Sequence, residues 1–176
     1  VRNLKINSKR KYFLSVGRLV RGKGIGVIVE ACAKLGLPLK VVGTGPELES
    51  IKYQVSSIKY QNIEFLGQVS DDELQKLYAD AITTIVASED EDFGIVPVES
   101  MACGTPVIAP KAGGFLETVI DGQTGVLYGG PGMVTVDSLV EVLRKFDPKN
   151  FESGDCIKQA EKFSKERFKK EIFELI

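Results

Sequence analysis

Histidine is absent from all 176 residues. Its absence removes the commonest general acid and base near neutral pH and excludes a Ser-His-Asp or Cys-His arrangement inside this segment. A charge excess of either sign is also lacking. With 23 basic and 24 acidic side chains the net charge is −1, too weak a field to gather a polyanion, so nucleic acid is not expected as a partner. Cysteine is scarce: Cys32, Cys103 and Cys156 are odd in number, widely spaced and set among apolar or helix-forming residues. They read as reduced core thiols of a cytosolic protein, neither a metal ligand set nor a nucleophile. No apolar run approaches the ~20 residues that span a bilayer, and no signal peptide precedes the first expected strand, so the expectation is a soluble, cytoplasmic chain. There is no initiator Met; the sequence opens "VRNLKINSKRK", and we expect a piece of a longer chain. Internal repeats, low-complexity tracts and linkers are absent too.

What is present is ordinary globular composition, 43% hydrophobic and 27% charged, enough for one domain spanning 1–176 with a real core. Short β-branched runs at 11–16, 39–43, 63–67, 82–87, 106–110 and 124–128 read as strands. Helical patterns lie between them at 25–36, 46–59, 71–80, 95–103, 115–121 and 136–146, with a long amphipathic helix at 153–176. Near-continuously apolar strands alternating with helices predict an α/β fold: a Rossmann-like three-layer α/β/α domain on a parallel six-stranded sheet. In such sheets ligands sit beyond the carboxyl ends of the strands, which directs attention to the strand-to-helix turns.

The first turn, "SVGRLVRGKGIG", carries Arg18, Arg21 and Lys23 among glycines that let the backbone approach a ligand. Gly17, Gly22 and Lys23 fit a Walker spacing, but Gly24 stands where that loop needs a hydroxyl for Mg²⁺. A solvated basic loop is the plainer account. The second turn, "VVGTGPELE", offers Gly43, Thr44 and Gly45 before a helix started by Pro46, Glu47 and Glu49; a tight turn explains it equally well. In the third, "FLGQVSDDEL", Ser70 and Glu73 form a capping-box pattern, leaving Gln68, Val69 and Asp71 directed where a base can lie. The fourth turn runs "SEDEDFGIVPVESMAC". With a helix starting near Gly94, Glu99 lies about 7 Å along the axis from the loop that carries Glu91, so two carboxylates can grip different parts of one ligand. Amides at Gly94 and Ile95 would attract a phosphate. The alternative for 89–92 is an exposed acidic loop, and for Glu99 a surface position, although its apolar setting makes an unpaired carboxylate costly to bury. Gly113 and Gly114 in the fifth turn read as mainly structural, with Gly122 as a helix stop.

Taken in order, "GRLVRGKG", "VVGTGPE", "FLGQVSDDEL", the Glu91-x7-Glu99 pair with Phe93-Gly94, "ESMACGTPVIAP" and "GGFLETVIDGQTGVL" resemble the C-terminal, donor-binding half of a retaining, family 4 glycosyltransferase of the GT-B fold. The likeness runs from about Lys11 to the end of the chain. It implies that Arg18 and Lys23 neutralise a diphosphate leaving group, that Glu91 serves the sugar end, that Phe93, Gly94 and Ile95 lend amides to sugar and phosphate, and that Glu99 accepts from the ribose hydroxyls. It places Gln68 and Val69 beside the base and Gly43, Thr44 and Gly45 beside the nucleoside. Glu91, Arg18 and Lys23 are the catalytic candidates; no nucleophile is assigned, no metal or cofactor is expected, and the nucleotide sugar is a substrate.

The same resemblance implies an N-terminal Rossmann-like domain that holds a glycan or lipid-linked acceptor, so this segment should bind donor and transfer sugar poorly or not at all. The full-length enzyme is expected at the inner face of the membrane as a peripheral protein. Relatives often carry Gly where this chain has Asp92, and a proline one place before Pro97. The donor expectation is GDP-mannose, because the chain resembles surface-polysaccharide mannosyltransferases and because Asp71 can accept from guanine N1 and N2. A UDP-sugar is the alternative. So is a stand-alone nucleotide-binding or sensor module without catalysis, or a P-loop NTPase.

Overall fold

The computed structural model describes residues 10–56, 62–88 and 90–174. The expected helix residues 57–59, 175 and 176 and the loop residue Glu89 lie outside them. Strands β1 (Tyr12–Val16), β2 (Leu39–Val42), β3 (Ile63–Gly67), β4 (Ala81–Ile85), β5 (Val107–Pro110) and β6 (Gly125–Tyr128) form one parallel sheet in the order β3-β2-β1-β4-β5-β6. The expected fold class is therefore the observed one. Register follows the strand period of two: Phe13 packs with the layer of Ile28, Val29, Leu139 and Leu143, whereas its neighbours Tyr12 and Leu14 face Leu77 and Tyr78 on the other side. Further along that second face, Val107 and Ala109 pack with Met101, Phe115 and Cys156. Each such side chain contributes about 1.5–3 kcal/mol by leaving water. The chain builds outward from β1 to β3 and then returns to pair β4 with the other edge of β1, as in Leu14 beside Thr84. This reversal makes a switch point between the carboxyl ends of β1 and β4, where connections leave to opposite sides and a crevice must open.

The connecting helices are α1 (Ile25–Leu35), α2 (Leu48–Ser56), α3 (Asp71–Asp80), α4 (Ile95–Ala102), α5 (Phe115–Thr118), α6 (Val136–Lys145), α7 (Ser153–Glu161) and α8 (Lys165–Glu174), with a 3₁₀ turn at Pro148–Asn150. At α3 the Ser70 hydroxyl accepts the Glu73 amide at 3.3 Å, the forward half of the expected capping box; Glu73 returns no bond among the described residues. The complete reciprocal box lies at α6, between Thr135 and Ser138. The single helix expected over 153–176 is interrupted. Lys162, Phe163 and Ser164 donate to carbonyls three residues back, tightening the last turn of α7, and Ser164 then starts α8 by accepting the Arg167 amide on its hydroxyl. Helix α5 ends at Thr118, short of residue 121, because Thr124 captures the Ile120 amide at 2.9 Å and turns the chain into β6.

Candidate functional site

A cleft of about 190 Å³ occupies the switch point. Its β1 wall is Ser15, Val16, Gly17 and Arg18, its β4 wall Ile85, Val86 and Ser88, and it is closed by Lys23, Glu91, Phe115 and the first turn of α4. That turn starts at Gly94 in the left-handed region (φ 79°), with no side-chain cap and no acidic residue in the first turn. The leading amides and the positive end of the helix dipole are thus left for something else to satisfy. Gly94 is required twice over, since a Cβ there would also press on the Phe115 ring at 2.9 Å. Lys23 Nζ lies 2.7 Å from Glu91 Oε2, both side chains about a quarter exposed, so a cation and an anion meet at the mouth. Arg18 stands exposed at the rim.

Backbone contacts shape these walls. Gly114 donates its amide to the Glu91 carbonyl at 2.8 Å, and a Cβ on Gly113 would come within 2.5 Å of that same oxygen. The Gly113-Gly114 pair, expected to be mainly structural, is therefore the seat that fixes the backbone of Glu91. On the opposite side Leu19 donates to the Thr44 carbonyl at 2.9 Å and Glu47 donates back to the Leu19 carbonyl at 3.0 Å. A Cβ on Gly43 would collide with the Gly17 carbonyl and one on Gly45 with that of Leu19. These two glycines let the β2 turn buttress the Arg18 loop.

Of the residues expected at the site, Arg18, Lys23, Glu91, Gly94 and Ile95 come together on the cleft. Gly43, Thr44 and Gly45 stand behind the first loop, Gln68 and Asp71 are exposed before and at the start of α3, and Val69 packs on the core beside Leu77. Phe93 is exposed, its ring edge-on to Phe163 with centroids 5.7 Å apart. Glu99 is outside the cleft wall, one helical turn beyond Ile95 on the same face of α4. It is not the unpaired carboxylate that its apolar setting threatened: Tyr78 Oη donates to its Oε2 at 2.9 Å. Burial and the neighbouring Glu99 charge push the Tyr78 hydroxyl pKa up, so it remains a donor.

Ser15, Phe115 and Tyr78 escaped the sequence reading. Ser15 had a signal, a polar residue within the apolar run "YFLSV", and its fully buried hydroxyl has no partner among the described residues. Tyr78 had none, since its partner lies 21 residues away on another helix. Among the described residues no group of three or more His, Cys, Asp or Glu side chains is placed to hold a metal ion, and no helix is long and apolar enough to cross a membrane.

Comparison with known proteins extends the geometry. The chain is 38% identical over 114 residues to an uncharacterized glycosyltransferase, MJ1178, of Methanocaldococcus jannaschii, covering 65% of this chain and 32% of that protein. Sucrose-phosphate synthase from Thermosynechococcus elongatus superposes with a TM-score of 0.78 at 30% identity, covering 90% of this chain and 42% of the synthase. The Anabaena protein Alr3699/HepE, solved with UDP and glucose, superposes with a TM-score of 0.72 at 25% identity, over 90% of this chain and 45% of that one. The chain thus spans less than half the length of each. The model of the family described as "Glycosyl transferases group 1" matches residues 1–163. Every segment that lines the cleft falls inside that match, and the chain belongs to the group 1 glycosyltransferases, with the fold of a GT-B domain.

Proposed function

We propose that this domain binds the nucleotide diphosphate sugar of a retaining, family 4 hexosyltransferase. The observation that carries the reading is the convergence at one switch-point cleft of the uncapped α4 N-terminus, Lys23 and Arg18 with the Glu91 carboxylate. The diphosphate lies against the α4 amides, where Arg18 and Lys23 balance the charge that grows on the leaving oxygen as the glycosidic bond breaks. Fixed cations need no reorganisation at that moment, and no metal is required. Glu91 orients the sugar and stabilises positive charge at its anomeric carbon. One turn further along α4, Glu99 accepts from the ribose hydroxyls. Attack comes from the face the phosphate leaves, with the phosphate helping to take the acceptor proton, which preserves configuration without a protein nucleophile. The acceptor, a glycan or lipid-linked sugar, is held by a second, N-terminal domain, and the full enzyme works in the cytoplasm or peripherally at the membrane.

The donor is GDP-mannose in this reading, supported by the exposed Asp71 at the start of α3, an acceptor for guanine donors. A UDP-hexose is the second reading, favoured by the UDP and glucose bound in the Anabaena neighbour. Calorimetric titration of this chain with GDP, UDP, ADP and ATP, with and without Mg²⁺, decides between them. The expected result is metal-independent binding of one nucleoside diphosphate, weakened roughly 10-fold or more in Arg18→Ala and in Glu99→Ala by the loss of a charge-assisted contact. Binding of ATP alone, and only with Mg²⁺, would overturn the proposal.

A further inference from the structure

We propose that Tyr78 is a positioning residue for the donor nucleoside, holding one oxygen of Glu99 so that the other is presented to a vicinal diol. The inference rests on the donor-binding reading above and goes beyond it. Glu99 has three rotatable side-chain bonds and only half-buried surroundings. Left alone it would sample several rotamers, and fixing it on binding would cost affinity. Here the Tyr78 hydroxyl occupies Oε2 at 2.9 Å, while Oε1 has no partner among the described residues. A carboxylate anchored through one oxygen offers the other in a set direction.

The anchor is itself held. Tyr78 is 2% exposed, and its backbone carbonyl accepts from Thr105 Oγ1 at 2.7 Å. Thr105 donates its amide to the Ser100 carbonyl at 3.0 Å, and Ser100 Oγ in turn donates to Thr84 Oγ1 of β4 at 2.8 Å. Thr84, Ser100 and Thr105 are fully buried. On the other side, Tyr12 Oη of β1 donates to the Leu77 carbonyl at 3.0 Å. Tyr78 is thus tied to the two strands that make the cleft, β1 and β4, and to α4, which carries Glu99. A tyrosine needed only for packing would not require its hydroxyl to end on this carboxylate. Phenylalanine fills the same volume.

The test uses Tyr78→Phe, Glu99→Gln and Glu99→Ala singly, and Tyr78→Phe together with Glu99→Ala, in this chain. Calorimetry reads the affinity of GDP and UDP and of their 2′,3′-dideoxy counterparts. In the parent, deleting the ribose hydroxyls should weaken whichever nucleotide binds. Tyr78→Phe should weaken the ribose form roughly 3- to 10-fold, the range set by immobilising one side chain, and leave the dideoxy form unchanged. In Glu99→Ala, which leaves Tyr78 no acceptor to hold, the Tyr78→Phe change should add nothing to the ribose form. Equal weakening of ribose and dideoxy forms would mean a general packing role and overturn the inference. If Glu99→Gln weakens the ribose form and Tyr78→Phe does not, the positioning role alone fails. If Glu99→Gln has no effect while GDP or UDP still binds, the ribose contact fails and the inference with it, whereas the donor reading itself fails only if no nucleoside diphosphate binds. Should Tyr78→Phe melt early, the titrations are made below its melting temperature, where the ribose-against-dideoxy difference still separates positioning from packing.

Discussion

Lys23 and Glu91 grip one another at 2.7 Å across the cleft mouth, so in the absence of ligand each neutralises the group the other would serve. A diphosphate entering the cleft must compete with Glu91 for the ammonium, and its own charge is repelled by that carboxylate. Both side chains are about a quarter exposed, so solvent screens the pair and the interaction is modest, on the order of 1 kcal/mol. Glu91→Gln should therefore bind the bare nucleoside diphosphate roughly fivefold more tightly while reducing sugar transfer by the full-length enzyme. Calorimetry on this chain and a turnover assay on the longer one read the two effects separately, and weaker nucleotide binding in Glu91→Gln would rule the competition out. Gly113 and Gly114 belong to the same picture, because the room they leave sets where the Glu91 backbone can sit.

Helix ends divide into two kinds. The first kind is closed by a side chain of its own, as Ser70 caps α3 and Thr135 caps α6. Of the uncapped ones, α1 and α4 start at the cleft from glycines in the left-handed region with no first-turn acid, whereas α5, which also begins at the cleft, carries Glu117 in its first turn. An acidic first turn would repel an anion, and a capping hydroxyl would consume the amides it needs. Thr135→Ala tests the first kind. It should cost about 1 kcal/mol of stability, the usual worth of an N-cap, read as a lower urea midpoint at unchanged slope. Nucleotide affinity should not change. At the far end, α8 buries no side chain of its own and leaves Phe168, Ile172 and Phe173 exposed.

The molecule as a whole should lose stability in alkali through groups its core holds protonated. Burial pushes the Cys32 thiol from 9.0 up to about 12. Burial, with Asp80 and Glu64 nearby, pushes the Tyr12 hydroxyl from 10.0 up to about 12. Both are neutral when protonated, so the unfolded chain releases its protons first and binds fewer than the native state as pH rises. Their contribution is complete below about pH 9, declines through pH 9–12 and is gone above the folded values. Urea midpoints should be flat in this respect to pH 9 and fall by pH 11, and Cys32→Ala should reduce the part of the fall that begins near pH 9, the remainder coming from thiols such as Cys156, which burial pushes up to about 11. An unchanged fall in Cys32→Ala would show that the thiol is not the titrating group. At this scale the division between sequence and tertiary structure is also plain. Apolar period and strand-helix alternation determined the parallel sheet, because they depend only on which face each residue must bury. Arg18, Lys23, Glu91 and the Gly94-Ile95 amides were legible for a related reason: each sits in a turn whose glycines and charges have no role in a core. The break between α7 and α8 was not legible, since Ser164 starts a helix only where the preceding turn has tightened. Nor were the Tyr78 bond to Glu99 and the Gly114 bond to Glu91. Both join segments far apart in the chain, and such contacts exist only once the sheet has packed α3 against α4 and set the β5–α5 turn beside the Glu91 loop.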